Sequence, residues 1–582
     1  MQKNKDVIRR VIGCVLTFAV IFSFTFTLTL PVEAAGKQQV LKPRPLTQVV
    51  SKGVRSVRSG TIQVPMILWG GDISTIYTKD SGLFKAGGLN VSLFREDYFP
   101  SQVEKCLEGK TPYLRGTMGM INSAAEVFKK QGIDLVIIYQ LTWSTGGDAL
   151  VTRGSVRRPR DLRNKTIALQ LYGPHMDYLT NILGSAGVPL SSVKIKWFRE
   201  LYLPAYDTRG KIVDPVSAFT ADPSIDGVMC IIPDALNLTS GGKIGTGAAG
   251  SVKGARIILS TKTASRIISD VYAVRGDYFK RNKSKVKAFV KALFKGEEAL
   301  QRLLAARKKD RQQEYKRLMS HAAELLFDSA QAVPDVEALL GDCQFVGYDG
   351  NVKFFTGQGT TRTMTRLTQE IQNSFRKLGL MSYSVKLQSA NWDYSSLARG
   401  LSNASLKPRP QKKRFDIRKI EEKISVESTT WAEAGTLFQI EINFAPNQSV
   451  FSESQYAGDF KKALNIAQTY GGSLIIIEGH SDPLGILRAR QNKKPTVVVK
   501  QMGQQAKNLS LSRARAVRQS FLQYCSRKNL RLDQSQFVAV GMGIVNPKFN
   551  PPRTKDEWAA NRRVVFRIKQ VEAELTEFTP LK

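Results

Sequence analysis

The sequence predicts a mixed α/β protein with at least two domains of unequal size. Short apolar runs, typical of strands buried on both faces, alternate with helical patterns over the first two thirds of the chain. A basic, proline-containing segment at 403–430 interrupts this alternation. A shorter series with the order β-α-β-α-β-β follows it. The chain has 582 residues, which is too long for one ordinary core.

Composition places the chain among globular proteins with a strongly basic surface. Hydrophobic residues make up 42% and charged residues 23%, which argues against wholesale disorder. The 86 Lys and Arg against 49 Asp and Glu give a net charge of +37, a field that attracts polyanions and anionic membrane surfaces. The sequence has no zinc-finger spacing, RNP-type strand or basic-zipper heptad. We therefore expect a solvated basic surface and no nucleic-acid partner.

The first 35 residues predict export. Four basic residues lie among the first ten, an uncharged apolar run extends from Val11 to Leu30, and Ala34 and Ala35 offer a cleavage site. This pattern is typical of a secretory signal peptide. The apolar run is also just long enough to span a bilayer, so an uncleaved inner-membrane anchor is the alternative. Both interpretations place the remaining chain in the periplasm.

The patterns divide the chain into six segments. They are a signal peptide or anchor at 1–35, a polar spacer at 36–59, a first folded region at 60–402, a basic linker at 403–430, a second domain at 431–572 and a tail at 573–582.

Export leaves four cysteines in an oxidising compartment, namely Cys106, Cys230, Cys343 and Cys525. None belongs to a CxxC pair, so we expect neither a metal site nor a thioredoxin-like motif, and no cofactor. Cys230 lies in an apolar run and is expected to be a free buried thiol. Cys106 with Cys343 is the one disulfide pairing worth testing.

The strands of the first region are expected to form parallel sheets with crossover helices. The apolar runs that predict them are 64–69, 135–139, 166–169, 227–232 and 256–259. The stretch from Ser284 to Phe327 predicts one or two surface helices, with Ala288 and Leu293 on one face. In the second domain, strands are expected at 437–444, 473–478, 537–540 and 564–568, and helices at 460–470 and around 511–525.

Four sequence blocks in the second domain carry a resemblance. They are Gly479-His480-Ser481-Asp482, Leu509 to Val517 with the pattern LSxxRA, Gly541-Met542-Gly543, and Asn561-Arg562-Arg563-Val564. In this order and context they resemble the OmpA-like peptidoglycan-binding domain, over about 140 residues. The resemblance implies an α/β sandwich that grips the diaminopimelate of a peptidoglycan stem, and hence peptidoglycan as a partner.

The chemistry of these blocks suits a ligand that carries an ammonium and a carboxylate at one end. Asp482 is expected to bind the ammonium, and Arg513, at the start of its helix, the carboxylate. The resemblance assigns the same roles to these two residues and adds Asn561 and Arg562, and Ser510 lies in the block of Arg513. An internal Asp482–Arg513 ion pair is the alternative. The segment 483–508 is longer than usual for the family and is expected to be a solvated loop or, less favoured, a flap.

An enzymatic function is not expected. His480, Ser481 and Asp482 name the residues of a catalytic triad, but triad members converge from separate segments and adjacent positions cannot do so. The chain has three histidines in all, which leaves little capacity for general-base catalysis or metal binding.

Four sequence blocks within residues 60–402 carry a second resemblance: Leu68 to Asp72, Gly82 to Leu89, Gly146 to Val151 and Arg158 to Thr166. With them this region resembles the solute-binding proteins of ABC importers, in the subgroup for nitrate, sulfonates and related solutes, with some likeness to phosphate-binding relatives. The resemblance implies two hinged α/β lobes, a ligand held at strand ends and helix N-termini, and an ABC permease as a partner.

The candidate solute-binding residues lie where predicted strands end. They are Trp69, Gly70, Asp72, Gly116, Thr117, Thr145, Gly146, Asp148, His175 and Asp226. The glycines would let backbone N–H groups approach an anion, and Trp69 would wall the pocket. Asp222, Asp226 and Asp234 are expected to cluster near a strand that reaches the cleft. They would instead suit a cationic or hydroxylated ligand, so the sign of the solute stays open.

Two functions follow from these patterns. The first is a receptor for a small solute, tethered to the cell wall and acting in uptake or sensing. The second is a scaffolding protein of the envelope whose two-lobed region binds a protein partner.

Overall fold

A computed structural model describes residues 37–248, 250–402, 404, 415–417, 420, 436–443, 456–530 and 532–569. The predicted signal at 1–35, most of the linker at 403–430 and the tail at 573–582 lie outside the described residues. Among the helices that the structure describes, none combines the length and apolar character needed to cross a membrane.

Twelve strands form the described first region. They are β1 (Ile62–Met66), β2 (Val91–Arg95), β3 (Tyr113–Thr117), β4 (Leu135–Ser144), β5 (Asp148–Thr152), β6 (Thr166–Gln170), β7 (Lys194–Phe198), β8 (Gly227–Ile231), β9 (Arg256–Ser260), β10 (Ser269–Arg275), β11 (Cys343–Phe345) and β12 (Gln388–Ser389). Lobe 1 contains a sheet of order β11-β4-β10-β3, with β12 beside β4, and the parallel pair β1-β2. Lobe 2 contains a sheet of order β7-β6-β8-β5-β9.

Helices cover both sheets. They are α1 (Asp72–Asp80), α2 (Leu83–Ala86), α3 (Phe99–Leu107), α4 (Met118–Lys130), α5 (Met176–Ser185), α6 (Pro215–Ala221), α7 (Ile232–Leu238), α8 (Gly276–Arg281), α9 (Lys283–Ala306), α10 (Gln312–Phe327), α11 (Val333–Gly341), α12 (Gly347–Thr356), α13 (Met364–Lys377) and α14 (Tyr394–Ala398). The stretch 284–327 thus forms two helices, α9 and α10, as the sequence allowed. Val290 and Leu293 of α9 are buried in the core of lobe 1.

The chain crosses between the lobes twice, from β4 to β5 and from β9 to β10. This double crossover is the connectivity of the periplasmic-binding fold, so the predicted two-lobed α/β class is confirmed. The sheets combine the expected parallel pairs with antiparallel ones. β5 runs antiparallel to β8 and β9, and β10 runs antiparallel to β3 and β4. β5 and β10 each start at the interlobe edge of their sheet, directly after a crossover. The neighbouring strands β3, β4 and β8 end at that edge, so β5 and β10 run in the opposite direction.

The second domain is a four-stranded sheet covered by helices. Its elements are β13 (Thr436–Asn443), α15 (Ala457–Thr469), β14 (Leu474–Gly479), α16 (Leu484–Gln491), α17 (Thr496–Arg527), β15 (Phe537–Gly541), α18 (Lys555–Asn561) and β16 (Arg563–Lys569). The sheet order is β13-β16-β14-β15, with β14 parallel to β15 and β16 antiparallel to β13 and β14. The predicted order of strands is present, with α16 and α18 as additions.

The segment 483–508 is mostly helical, so the expectation of a solvated loop was wrong, and a flap stays a prediction. α16 occupies its first part, and α17 begins at Thr496, directly after Pro495. Pro495 precedes the first helical residue and has a non-helical ψ of 142°, so it separates α17 from α16, and its missing N–H costs nothing at a helix start.

The second domain packs against both lobes near the second crossover. The N–H of Gly472 donates to the Thr263 carbonyl (3.1 Å), and the N–H of Arg266 donates to the Thr469 carbonyl (3.1 Å). A side chain at Gly472 would meet the Lys262 carbonyl oxygen at 1.7 Å. The domain therefore lies directly against the segment that connects the lobes.

The four described cysteines are free. Cys106 is buried in α3 and Cys343 lies in β11, so the pairing singled out for testing is not formed. Cys230 is a buried thiol on β8, as predicted.

Candidate functional site

Three charged side chains form the floor between the lobes, on the side of lobe 1. Arg115 of β3 lies between Asp72, at the start of α1, and Asp270 of β10. The Arg115 Nη2–Asp72 Oδ2 distance is 2.8 Å and the Arg115 Nη1–Asp270 Oδ1 distance is 2.9 Å. Their side chains are 0%, 0% and 3% exposed. Burial raises the pKa of Asp72 to about 7, although Arg115 opposes this.

Neutral side chains extend this network to the hinge, which is formed by the two crossover segments between the lobes. The Thr142 hydroxyl donates to Asp270 Oδ2 (3.1 Å) and accepts from the Trp69 indole N–H (3.0 Å). The Trp69 ring lies against Gly147, where an added Cβ would come within 2.5 Å of the ring. Trp69 is therefore buried against the first crossover, with its one polar atom satisfied.

The two crossovers are joined through the hydroxyl of Thr261. It accepts hydrogen bonds from the backbone N–H groups of Gly146 and Asp148, both at 3.1 Å. The Ser144 hydroxyl donates to Asp148 Oδ2 (2.6 Å). Since a hinge must absorb any motion between the lobes, this small polar group is positioned to couple the two connecting segments.

Lobe 2 contributes His175 and Asp177 to the same region. His175 Nε2 lies 2.8 Å from Asp148 Oδ1, and its Nδ1 has no partner among the described residues. Asp177, in the first turn of α5, approaches Gly119 in the first turn of α4, where an added Cβ would lie 2.4 Å from Asp177 Oδ1. That oxygen is buried and unpartnered in the described part of the chain. Asp177 thus lies between helix N-termini of opposite lobes.

Burial shifts the ionisation of Asp177. Its pKa rises from 3.8 to about 7, chiefly because burial disfavours the charged carboxylate. Arg362 opposes this rise, while the charges of Asp148 and Asp270 add to it. At neutral pH this carboxyl can therefore either donate or accept a hydrogen bond.

Four candidates are packed against protein. A side chain at Gly70 would meet the Leu339 carbonyl at 2.1 Å, and one at Gly116 would meet Met120. Thr117 caps α4, because its hydroxyl accepts from the Met120 N–H (3.2 Å). The Thr145 N–H donates to the Asp342 carbonyl (2.9 Å). These residues shape the floor and the hinge.

The expectation that Asp222, Asp226 and Asp234 cluster was wrong. Asp222 pairs with Lys196 (2.7 Å), and Asp226 accepts from the Thr166 N–H (2.9 Å) at the starts of β6 and β8. Asp234 follows the opposite end of β8, in α7, where burial raises its pKa to about 6. Sequence proximity to a strand does not specify which end of the strand a residue joins.

The C-terminal candidates divide into a charged cluster and two supporting residues. Asp482 and Arg562 approach to 3.5 Å (Oδ2–Nη1) with 17% and 13% exposure. Arg513 is buried, and both burial and the nearby Arg562 charge lower its pKa. Asn561 accepts from the Lys548 and Phe549 N–H groups (2.7 and 3.0 Å), and Ser510 accepts from the Gly543 N–H (2.9 Å).

Arg513 does not lie at a helix start, which corrects the sequence prediction. It is an interior residue of the 32-residue α17, so the backbone N–H groups around it are engaged within the helix.

The consecutive residues His480, Ser481 and Asp482 do not form a catalytic triad. His480 Nδ1 lies near the Val545 carbonyl (3.3 Å), Ser481 donates to the Ala506 carbonyl (3.0 Å) and Asp482 accepts from the Leu484 N–H (3.0 Å).

Sequence reasoning missed Arg115, Asp270, Thr142, Thr261 and Asp177. No predicted strand contained Arg115 or Asp270, so the need to pair a charge in a buried strand gave no warning of this network. Thr261 lies in the second crossover, and Asp270 lies in the strand after it, β10. The sequence pattern identified neither the crossover nor this strand.

Comparisons with known proteins concern the two-lobed region. The model of the family described as NMT1/THI5 like matches residues 72–302, which span the interlobe floor and both crossovers. A search of curated proteins found no match.

Solved structures with a similar fold cover the same part of the chain. The putative periplasmic sulfonate-binding protein SsuA of Methylobacillus flagellatus KT is 16% identical, with 62% of this chain and 99% of that chain covered and a TM-score of 0.41. The aliphatic sulphonate-binding protein SsuA of Escherichia coli is 13% identical, with 61% and 97% covered and a TM-score of 0.39. The nitrate-binding protein NrtA of Synechocystis PCC 6803 is 11% identical, with 60% and 90% covered and a TM-score of 0.41.

Proposed function

We propose that this chain is an exported envelope receptor that binds a small solute between its two lobes for ABC-type uptake or sensing, and that its C-terminal domain binds peptidoglycan. The double crossover carries the first part of the proposal, because hinged lobes that close on a solute need two flexible connections. The family match over 72–302 supports a binding role for this region. A permease that receives the solute is the corresponding partner.

The ionisation of Asp177 links the charge of the solute to pH. Below pH 7 the protonated carboxyl can donate to an oxyanion such as a sulfonate or nitrate, the solutes of the proteins of similar fold. Above pH 7 the carboxylate repels an anion and favours an amine. Anion binding should therefore strengthen as the pH falls through about 7, and amine binding should strengthen as it rises.

Thermal shift of the full chain tests this proposal. Nitrate, methanesulfonate, phosphate and simple amines are added at pH 6 and pH 8, because a solute that binds only the native state raises Tm. We expect one class to raise Tm with the pH dependence stated above. In Asp177→Asn, whose amide does not titrate, that pH dependence should disappear. A panel without any shift would contradict the receptor function.

Peptidoglycan binding is supported by the charged cluster of the second domain. Asp482 offers a carboxylate for the ammonium of diaminopimelate, and Arg513 and Arg562 supply guanidinium groups for its carboxylate. The weak 3.5 Å approach between Asp482 and Arg562 is one that a zwitterionic ligand could replace with two closer pairs. Asn561 and Ser510 hold the surrounding loops through backbone contacts.

A scaffolding function is the second candidate, and one observation favours it. The charges of Asp72, Arg115 and Asp270 are paired with one another and buried, which a purely structural core would also require. In that case the two-lobed region would bind a protein partner, and no small solute would raise Tm.

A further inference from the structure

A cavity of about 910 Å³ lies between lobe 2 and the C-terminal domain, away from the interlobe floor. Six cationic side chains line it, two from lobe 2 and four from the C-terminal domain: Arg158, Arg160, Lys462, Lys548, Arg563 and Arg567. Among the described residues that line it, none is an aspartate or glutamate. The wall also includes Ile440 and Ile466, which offer apolar surface.

Four of these cations have carboxylate partners outside the lining. Arg567 pairs with Glu478 through both oxygens (2.9 Å each), and Lys548 pairs with Glu441 (2.9 Å). Lys462 and Arg158 have longer pairs, at 3.5 Å with Asp459 and 3.7 Å with Asp161. These four positive charges are therefore at least partly compensated within the protein.

Arg160 and Arg563 are the two lining cations that form no ion pair among the described residues, although the charges of Glu441 and Glu478 act on Arg563 from a greater distance. Arg160 is exposed and has no ion-pair partner in the described part of the chain. Arg563 is only 8% exposed, donates from Nη2 to the Asn546 carbonyl (2.9 Å), and has no acceptor for its Nη1 among the described residues. An unpaired N–H of a buried guanidinium is costly unless a ligand accepts from it.

We infer that this cavity binds an organic phosphate, with the phosphoryl group at Arg563 and Arg160 and the organic body against Ile440 and Ile466. A phosphate monoester carries about two negative charges at neutral pH, which suits two guanidinium groups that form no ion pair among the described residues. The guanidinium fork suits phosphate oxygens. Cavities of roughly 300–1,000 Å³ accommodate organic ligands, whereas a single inorganic anion would leave most of this space unfilled.

Titration calorimetry of the full chain with glucose 6-phosphate tests the inference, with glucose as the unphosphorylated control. Arg160→Glu and Arg563→Gln should each weaken binding at least tenfold. Arg157→Glu is the matched control, because Arg157 is an exposed neighbour that does not line the cavity. Arg160 is exposed, so its variant should retain the fold even if Arg563→Gln does not.

A second arm distinguishes a free phosphate ester from a lipid headgroup. Phosphatidylglycerol vesicles are sedimented with the same variants, and loss of binding in Arg160→Glu but not in Arg157→Glu would assign the phosphate to a lipid. Equal loss in both variants, or no binding of ester or vesicle, would overturn the inference. The site is independent of Asp482, so Asp482→Ala should retain phosphate binding.

Discussion

The interlobe floor and the C-terminal cluster combine the same chemical groups in two different ways. At the floor, Arg115 contacts two carboxylates at 2.8–2.9 Å with almost no exposure. In the C-terminal cluster, Asp482 and Arg562 are 3.5 Å apart and partly exposed. The C-terminal pair is thus partly open to solvent, whereas the floor is closed to it. The two clusters therefore differ in charge compensation and exposure rather than in residue type, and this difference is the basis for proposing the C-terminal one as a peptidoglycan site.

The largest expected effect on stability comes from removing the central cation of the interlobe floor, Arg115. Arg115→Met leaves Asp72 and Asp270 buried without their cation, which should lower the free energy of unfolding by about 3–5 kcal/mol. Urea unfolding measures this loss. Arg209→Met is the matched control, because Arg209 is 67% exposed in its pair with Asp207 and should cost less than about 1 kcal/mol. Equal effects of the two variants would show that the floor does not stabilise the fold.

The second effect concerns the buried carboxyl of Asp177. Its pKa is raised from 3.8 to about 7 in the folded protein, so ionisation opposes folding and stability falls as the pH rises through this range. Asp177→Asn cannot ionise and should be more stable than the parent chain at pH 8 by about 4 kcal/mol, with little difference at pH 4. Asp310→Asn, at an exposed position, should show no such dependence. A difference in stability that does not change with pH would refute the burial argument.

The smallest effect is expected at the hinge. Thr261→Val removes the hydroxyl that accepts from the N–H groups of Gly146 and Asp148, at an expected cost of about 1–2 kcal/mol in the free energy of unfolding. Thr220→Val is the control, since the Thr220 hydroxyl is exposed and only donates to the Val216 carbonyl (3.0 Å). If the two variants lose the same stability in urea unfolding, Thr261 does not join the crossovers.

Much of the fold was predictable because apolar runs report burial directly. The runs at 135–139 and 227–232 correspond to β4 and β8. β5 and β10 were missed as strands, because polar or charged residues such as Asp148, Asp270 and Arg275 interrupt their apolar character. Their antiparallel direction follows from the crossovers, which depend on contacts between distant segments and leave no local pattern.

The candidate sites were predictable to different degrees. The C-terminal blocks did bring Asp482 and Arg562 together, because they join the ends of adjacent strands of one sheet. The prediction that Arg513 lies at the start of its helix was wrong. Pro495, directly before Thr496, was an available signal that the helix begins earlier. The floor depends on Arg115 meeting Asp270 across 155 residues, a pairing that only the folded sheet produces.

Sedimentation of the full chain with peptidoglycan tests the central claim that the partly exposed cluster is a binding site. The parent chain should sediment with diaminopimelate-type peptidoglycan and not with lysine-type peptidoglycan, which lacks the second carboxylate. Asp482→Ala should lose about 2 kcal/mol or more of binding free energy, whereas Asp556→Ala, at an exposed carboxylate of the same domain, should bind as the parent does. Undiminished binding by Asp482→Ala, or equal binding to both peptidoglycans, would contradict the account.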